Sequence, residues 1–248
     1  MATIDRVTKF VPANVFERVL DGAVKLGCLQ EYRDLEAGRE HRLVDPQEGK
    51  SSMSVEGSLY DEHFMLGTNN IHLTCITLGT GKAVVVDHKE DALVFCTALG
   101  PYCRDTHERF IAEGNESCTH YIVYDLDLLG TAAKLLMDDI APKGIWGFAS
   151  PVAYSDKDTS MTLAELERQN LPVSSSEAPQ RRRERIFQSV LTKSKRFKHE
   201  QEHRVAFVPV GCDPAPFRSP LYVGERSATI QSAFRQAIVS HGHASPKW

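Results

Sequence analysis

The feature that most constrains the fold is a series of short runs, most of them rich in β-branched residues, between residues 51 and 99. Turn signals separate them, Thr68-Asn69-Asn70 at one point and Gly79-Thr80-Gly81 at another. Short runs divided by tight turns favour antiparallel hairpins over an alternation of strands and helices. The sequence therefore predicts a β-rich middle, with strands at 53–59, 71–78, 83–87 and 92–99.

The flanking regions mix helical and strand patterns, which indicates an α+β fold rather than a Rossmann-like one. Helices are predicted at 14–24 (with Gly27 as the residue that ends the helix), 104–112, 128–140, 159–169 and 228–240. Strands are predicted at 28–33, 120–125, 145–154, 202–210 and 221–223. We expect one catalytic domain over 1–248, with a Pro- and Ser-rich linker at 171–179 and a basic helix over 180–198.

The composition, with 42% hydrophobic and 25% charged residues, is that of a globular protein. No apolar run approaches the roughly 20 residues that a membrane span requires, and the N-terminus lacks the apolar core of a signal peptide. We therefore expect a cytoplasmic protein that does not bind membranes. The six cysteines form no CxxC pair, so we expect them to be reduced, and no bound metal is predicted.

A strongly basic segment lies within a chain whose net charge is −4. Eight basic residues are opposed only by Glu184, and clustered cations of this kind attract phosphate backbones. The segment predicts RNA or DNA binding, with Phe187 or Phe197 adding base stacking; the alternative is the solvated face of a helix. The basic residues are Arg181, Arg182, Arg183, Arg185, Lys193, Lys195, Arg196 and Lys198.

Three separated elements carry candidate chemistry: Tyr32-Arg33, then Phe95-Cys96-Thr97-Ala98, then Glu200-Gln201-Glu202. In this order they resemble the Arg, Ser-Thr-Ser and Glu-x-Glu elements of the arginine–serine–glutamate clade of ADP-ribosyltransferases. Cys96 and Ala98 stand where that pattern has serines. The resemblance implies an α+β fold with a split, bent antiparallel β core of ADP-ribosyltransferase type and helical insertions.

The resemblance also implies an activity, mono-ADP-ribosyl transfer from NAD to an RNA, DNA or protein acceptor, without a metal. Glu202 would offset the positive charge that develops as the nicotinamide–ribose bond breaks, and Glu200 would engage the acceptor. In a strand both would point to one face, because the side-chain period is two. The implied cofactor-binding residues are Arg33 at the diphosphate, Thr97 at the ribose or Glu202, and Tyr32 or Phe95 against the nicotinamide.

Each of these assignments has a structural alternative. Two glutamates on an edge strand need no function, and Thr97 can be an ordinary strand threonine. Arg33 can form a surface ion pair with Asp34 or Glu36. For the whole chain, the alternatives are a nucleic-acid-binding or interaction protein without catalysis, and a metal-dependent nuclease.

A second similarity runs through the same segments and favours a bacterial or phage origin. It links Leu29–Arg33, Asp45–Gly49, Val94–Thr97 and the surroundings of Glu202 to a broad group of bacterial proteins. With the first resemblance, it implies a toxin, a toxin–antitoxin component held by a restraining protein, or an antiphage effector.

Overall fold

The computed structural model describes a large part of the chain. Side chains are described for 5–33, 90–112, 115–140, 144–155, 186–187, 189–210 and 212–244, and the backbone alone for 50–56, 62–68, 71–78, 83–89 and 159–162.

The described strands and helices mix along the chain. The strands are β1 (Arg6–Val11), β2 (Lys25–Cys28), β3 (Lys50–Glu56), β4 (Glu62–Thr68), β5 (Ile71–Leu78), β6 (Ala83–Lys89), β7 (Leu93–Leu99), β8 (His120–Asp125), β9 (Ile145–Pro151), β10 (Ala153–Tyr154), β11 (Thr159–Thr162), β12 (Thr192–Lys193), β13 (Glu202–Pro209), β14 (Leu221–Tyr222) and β15 (Ile238–His243). The helices are α1 (Phe16–Leu20), α2 (Leu29–Arg33), α3 (Arg104–Ala112), α4 (Leu126–Ile140) and α5 (Ala228–Gln236), with 3₁₀ turns at Ala13–Val15, Lys195–Glu200, Ala215–Phe217 and Val223–Glu225.

The chain divides into two compact units. The larger comprises 1–49, 90–156 and 190–248, and the smaller comprises 50–89 and 157–189. In the smaller unit, β4 and β5 form an antiparallel pair, while β3 pairs antiparallel with β6 and parallel with β11. The expectation of one catalytic domain stays a prediction. Among the described helices, none has both the length and the apolar character needed to cross a bilayer.

Eight of the described strands form the central sheet of the larger unit, in the order β14-β2-β7-β1-β8-β15, with β13 added to β7 and β9 added to β13. All of these pairings are antiparallel. The predicted α+β class and the mostly antiparallel β core are therefore confirmed.

Strand β7 pairs with three other strands, and this arrangement leaves a gap in the sheet. Along one edge, β13 pairs with Leu93 to Ala98. On the other edge, β2 pairs at Leu93 and Val94, and β1 pairs at Ala98 and Leu99. A gap therefore lies between β2 and β1, beside the middle of β7.

One face of this sheet is covered by α4 and α5. The buried positions of α4 are Leu129, Ala132 and Leu136, which recur at helical spacing, and those of α5 are Ile230 and Phe234. They share one apolar cluster with strand residues from β7 and β13. The opposite face of β7 and β13 carries the charged residues Glu202 and Arg204 together with small and apolar side chains such as Ala98 and Val94.

Several predicted elements agree with the structure. The helix at 104–112 and the strand at 120–125 have the predicted bounds as α3 and β8. The predicted strands near 53–59, 71–78, 83–87 and 92–99 correspond to β3, β5, β6 and β7.

Other predictions were wrong, and tertiary pairing explains most of them. Of the strand predicted at 28–33, only Cys28 lies in a strand, at the end of β2; the rest is the short helix α2, made of good helix formers such as Leu29 and Glu31. The helix predicted at 228–240 ends at Gln236, because the β-branched residues that follow pair with β8 as β15. In the helix predicted at 159–169, residues 159–162 instead form β11, and 163–169 lie outside the described residues.

The predicted first helix and basic helix are also shorter than expected. Of 14–24, only α1 is α-helical, and Gly27 lies inside β2 rather than at a helix end. Residues 186–187 and 189–191 are helical, but Thr192 and Lys193 form β12 and a 3₁₀ turn follows. Strand β1 was not predicted.

Candidate functional site

A cavity of about 230 Å³ lies in the larger unit, on the side of β7 and β13 away from α4 and α5. It contains charged, aromatic and small polar side chains. In the described part of the chain, its lining residues are Thr8, Lys9, Phe10, Tyr32, Cys96, Thr97, Ala98, Phe110, Asn115, Lys193, Glu200, Glu202 and Arg204.

The register of β7 and β13 sets the floor of this cavity. Glu202 lies opposite Ala98, and Arg204 lies opposite Cys96. Because strand side chains alternate between faces, these four residues share one face. The two positions at which the chain departs from the serine pattern, Cys96 and Ala98, are therefore the direct neighbours of the ion-paired strand residues.

Glu202 is held by a buried network of charge-assisted hydrogen bonds. Arg204 Nε donates to Glu202 Oε1 at 2.6 Å, and Arg204 Nη2 donates to Oε2 at 3.3 Å. Lys193 Nζ donates to Glu202 Oε2 at 3.0 Å. Since the Glu202 side chain is only 5% exposed, these two cations replace the water that a carboxylate normally binds.

Glu200 lines the same cavity, but the backbone that positions it differs from the predicted one. It is the last residue of a 3₁₀ turn rather than part of β13. The next residue, Gln201, has φ of 45°, in the left-handed region. This turn brings Glu200 Oε2 to 2.6 Å from Lys193 Nζ. The predicted convergence of the two glutamates on one cavity is present, but the predicted cause, a shared strand face, was wrong.

Lys193 is positioned by a small parallel pairing of β12 with β10, in which Lys193 lies beside Tyr154. The Tyr154 hydroxyl in turn accepts a 2.7 Å hydrogen bond from the Glu202 backbone N–H. Lys193 therefore bridges Glu200 and Glu202 inside the cavity, whereas the sequence assigned it to a nucleic-acid surface.

The two carboxylates differ electrostatically. Burial disfavours the charged form of Glu202, but the attraction of Arg204 and Lys193 outweighs it and holds the pKa of Glu202 well below its usual range. For Glu200, burial dominates over the attraction of Lys193, and the charge of Glu202 adds to it, so the pKa of Glu200 is raised. One cavity thus contains a firmly ionised carboxylate beside one that protonates more readily.

Two other predicted residues, Tyr32 and Thr97, line the cavity. Tyr32 lies against Gly27, where a Cβ atom would be 2.6 Å from the Tyr32 hydroxyl, so Gly27 is small to make room for the ring. Cys96, burial and Glu202 raise the pKa of Tyr32 well above its usual range. The Thr97 hydroxyl donates to the His203 carbonyl at 3.1 Å, which braces β7 against β13 beside Glu202.

Two of the predicted cofactor-binding residues, Arg33 and Phe95, do not line the cavity. Arg33 Nη1 donates to the Glu90 carbonyl at 2.8 Å, and Nη2 lies 3.6 Å from Asp91 Oδ1. This guanidinium ties α2 to the segment that precedes β7. Phe95 is 2% exposed and packs edge-on against Tyr124 in the core.

The basic segment is only partly described. Lys195, Arg196 and Lys198 are exposed on the 3₁₀ turn that ends at Glu200. Phe197 is 5% exposed and lies under Arg196, whose guanidinium is 4.4 Å from the ring centroid, so Phe197 is unsuited to base stacking. Arg181, Arg182, Arg183 and Arg185 lie outside the described residues.

Sequence reasoning missed Lys9, Arg204 and Tyr154 as site residues. Arg204 carried a signal, since it lies two residues after Glu202 and must share its face. Lys9 carried a signal as well: it is a charged residue on the same face of its strand as the buried Val7 and Val11. Tyr154 carried none, because only the long-range pairing of β10 brings it to Glu202.

The described residues contain no group of three or more His, Cys, Asp or Glu side chains that could hold a metal ion. Comparison of the chain with protein-family models, with curated proteins and with solved structures found no match in any of the three.

Proposed function

We propose that the chain is a mono-ADP-ribosyltransferase, which cleaves NAD and transfers ADP-ribose to a macromolecular acceptor. The observation that carries the proposal is the convergence of Glu200 and Glu202 on Lys193 in one cavity that Thr97 and Tyr32 also line. The acceptor would be RNA, DNA or protein.

The environment of Glu202 suits the electrostatic part of this reaction. Breaking the bond between nicotinamide and ribose leaves a positively charged, oxocarbenium-like ribose. A fixed negative charge in a water-poor site stabilises such a centre more strongly than it would in water. Because both Glu202 oxygens already accept hydrogen bonds, Glu202 acts by its charge and position rather than by taking a proton.

Glu200 suits the proton-transfer part. Its Oε2 accepts from Lys193, while Oε1 has no hydrogen-bond partner among the described residues. Its raised pKa brings the carboxylate closer to neutral pH than an ordinary glutamate. A base with those properties deprotonates an acceptor hydroxyl or amine more effectively.

The size of the cavity limits how NAD enters it. Its volume of about 230 Å³ is below the ~300–1,000 Å³ typical of sites that enclose a whole drug-sized ligand. One nucleoside end of NAD, with the adjoining phosphate, would enter the cavity, and the other end would remain outside.

The test is transfer of labelled ADP-ribose from NAD into the protein and RNA fractions of a bacterial lysate, with nicotinamide release measured in parallel. We expect Glu202→Gln to lower both rates by about 10²- to 10³-fold. Glu200→Gln should reduce transfer more than nicotinamide release, because it acts on the acceptor. Glu225→Gln, an exposed glutamate outside the cavity, is the matched control.

Two results would count against this function. If the intact chain neither releases nicotinamide nor transfers label, the activity is absent. If Glu202→Gln turns over NAD like the intact chain, the buried network is structural, and the catalytic role that the resemblance implies for Glu202 is wrong.

The resemblance extends the proposal to a toxin or antiphage effector that a partner protein restrains. Induced expression in a bacterial host should then arrest growth with the intact chain and not with Glu202→Gln. Equal growth of the two strains, at equal protein levels, removes the toxin proposal while leaving the enzymatic one to the transfer assay.

A second candidate, nucleic-acid binding without catalysis, is favoured by the exposed Lys195, Arg196 and Lys198 beside the cavity. It predicts RNA binding that weakens steeply with salt and is lost on combined substitution of these residues by Gln, with no NAD turnover. The same RNA binding together with NAD turnover would instead indicate an RNA acceptor.

A further inference from the structure

Lys9 places an ammonium in the gap that β2 and β1 leave beside β7. Its Nζ donates to the Cys96 carbonyl at 2.8 Å and lies 4.6 Å from the centroid of the Phe95 ring. The hydrogen bond satisfies a strand carbonyl next to the gap. An ammonium has three donors, so Lys9 retains donor capacity toward the cavity that it lines.

The charges of the described residues around the cavity do not balance. Among these residues three cations line it, Lys9, Lys193 and Arg204, against two carboxylates. Both carboxylates are engaged by Lys193 and Arg204. Lys9 makes no ion pair with any acidic side chain in the described part of the chain.

The other acidic groups among the described lining residues do not supply the missing charge. Burial and the charge of Glu202 raise the pKa of Cys96 to about 12, so the thiol is neutral at physiological pH. The Tyr32 hydroxyl is neutral for the same kind of reason. Burial lowers the pKa of Lys9, and an anion placed beside it would offset that cost.

Part of the cavity lining is aromatic. Phe10 and Phe110 both line the cavity, with ring centroids 5.1 Å apart, and Asn115 lies beside them. Aromatic faces with a neighbouring amide favour a planar, hydrogen-bonding ring in the ligand.

We infer that the cavity binds a phosphate-bearing, nucleotide-like ligand whose phosphate is held by the ammonium of Lys9. Identifying this phosphate as the diphosphate of NAD rests on the proposed function. In that case Lys9 performs the role that the sequence assigned to Arg33.

The experiment measures the affinity of ADP, pyrophosphate and adenosine by isothermal titration calorimetry. It compares the intact chain with Lys9→Met, Lys9→Arg and Lys134→Met. Lys134 is an exposed lysine of α4 outside the cavity, so its substitution matches the change in charge and side-chain length. Thermal melting checks that each variant is folded.

We expect Lys9→Met to weaken ADP binding by about ten- to a hundred-fold, the worth of one hydrogen bond to a charged group, and to leave adenosine binding unchanged. Lys9→Arg should retain most of the ADP affinity, and Lys134→Met all of it. If Lys9→Met also weakens pyrophosphate binding, phosphate alone suffices for recognition. If it weakens only the binding of ADP, the base is required as well.

The inference is overturned by equal ADP affinity in the intact chain and folded Lys9→Met, by a loss seen in Arg33→Met instead, or by no measurable ADP binding to the intact chain. Should Lys9→Met fail to fold, the thermal shift of the intact chain decides. Stabilisation by ADP that adenosine does not produce supports a phosphate site, and its absence removes it.

These outcomes are separable from the proposed activity. Lys9-dependent ADP binding without NAD turnover retains the site and removes the transferase. NAD turnover with a KM that Lys9→Met does not change retains the transferase and removes the site.

Discussion

Arg204 Nε lies 2.6 Å from Glu202 Oε1, joining two residues on one face of the same strand, β13. Their side chains are 2% and 5% exposed, so both charges are removed from water. A buried pair of this kind adds little over a well-packed apolar pair, but removing one member leaves an uncompensated charge. The pair therefore makes the site costly to alter one residue at a time.

Replacing Arg204 by Met should lower the free energy of unfolding by about 3–5 kcal/mol, because Glu202 loses its main partner and the Val190 carbonyl loses the donor at Arg204 Nη1. Urea denaturation measures this loss. The double substitution Glu202→Leu/Arg204→Met should be less destabilising than Arg204→Met alone, since no buried charge remains.

The matched control is Arg104→Met, which breaks the exposed pair of Arg104 and Glu108 on α3. Its effect on stability should be small, because solvent screens an exposed pair. An Arg204→Met chain as stable as the control would contradict the account of the buried pair.

Acid titration should separate the two glutamates. The folded pKa of Glu202 is depressed, so its stabilisation is present above the ordinary value of 4.5 and is lost as pH falls through the folded pKa. The folded pKa of Glu200 is raised, so its contribution is present below 4.5 and is lost as pH rises through the folded pKa. The two slopes have opposite signs.

The measurement is the free energy of unfolding between pH 3 and pH 7, with each variant normalised to its own value at pH 7. Glu202→Gln should flatten the loss of stability below pH 4.5, and Glu200→Gln should flatten the loss above it. Parallel curves for the two variants would show that the carboxylates are equivalent, against the structure.

The parts of the fold that follow from local pattern were predictable. The bounds of α3 and β8 were predicted from the local sequence pattern and match the structure. Strand β15 was not predictable in this way, because its tendency to pair is expressed only when β8 offers a free edge. Local sequence carries no information about that edge.

The residues of the candidate site also fall into those that local sequence indicates and those that only long-range pairing places there. Glu200 and Glu202 were identified from a short motif, and Arg204 follows from strand alternation. Lys193 reaches them only through the pairing of β12 with β10, and Lys9 only through the gap beside β7. Both arrangements depend on contacts distant in sequence, which explains why Lys193 was assigned to a surface and Lys9 was overlooked.

Tyr154→Phe should be destabilising by about 1–3 kcal/mol, because the Glu202 backbone N–H would lose its acceptor in a buried setting. Tyr124→Phe provides the opposite case. The Tyr124 hydroxyl is buried without a hydrogen-bond partner among the described residues, so its removal should leave stability unchanged or raise it. Thermal denaturation of the two variants should therefore differ in sign, and equal losses would show that the Tyr154 hydrogen bond is not important.

Gln201 offers the most direct test of how Glu200 and Glu202 are brought together. Its left-handed backbone, with φ of 45°, is the only positive φ at a non-glycine among the described residues. A left-handed backbone costs an ordinary residue roughly 1–2 kcal/mol, whereas glycine adopts it freely.

Gln201→Gly should therefore be neutral or stabilising, and Gln201→Val, which adds a β-branch, should be destabilising. If the turn sets the position of Glu200, Gln201→Gly keeps the proposed transferase activity and the acid-pH profile, while Gln201→Val reduces that activity in the protein that remains folded. Equal stability of the glycine and valine variants would show that this backbone conformation is not maintained in solution.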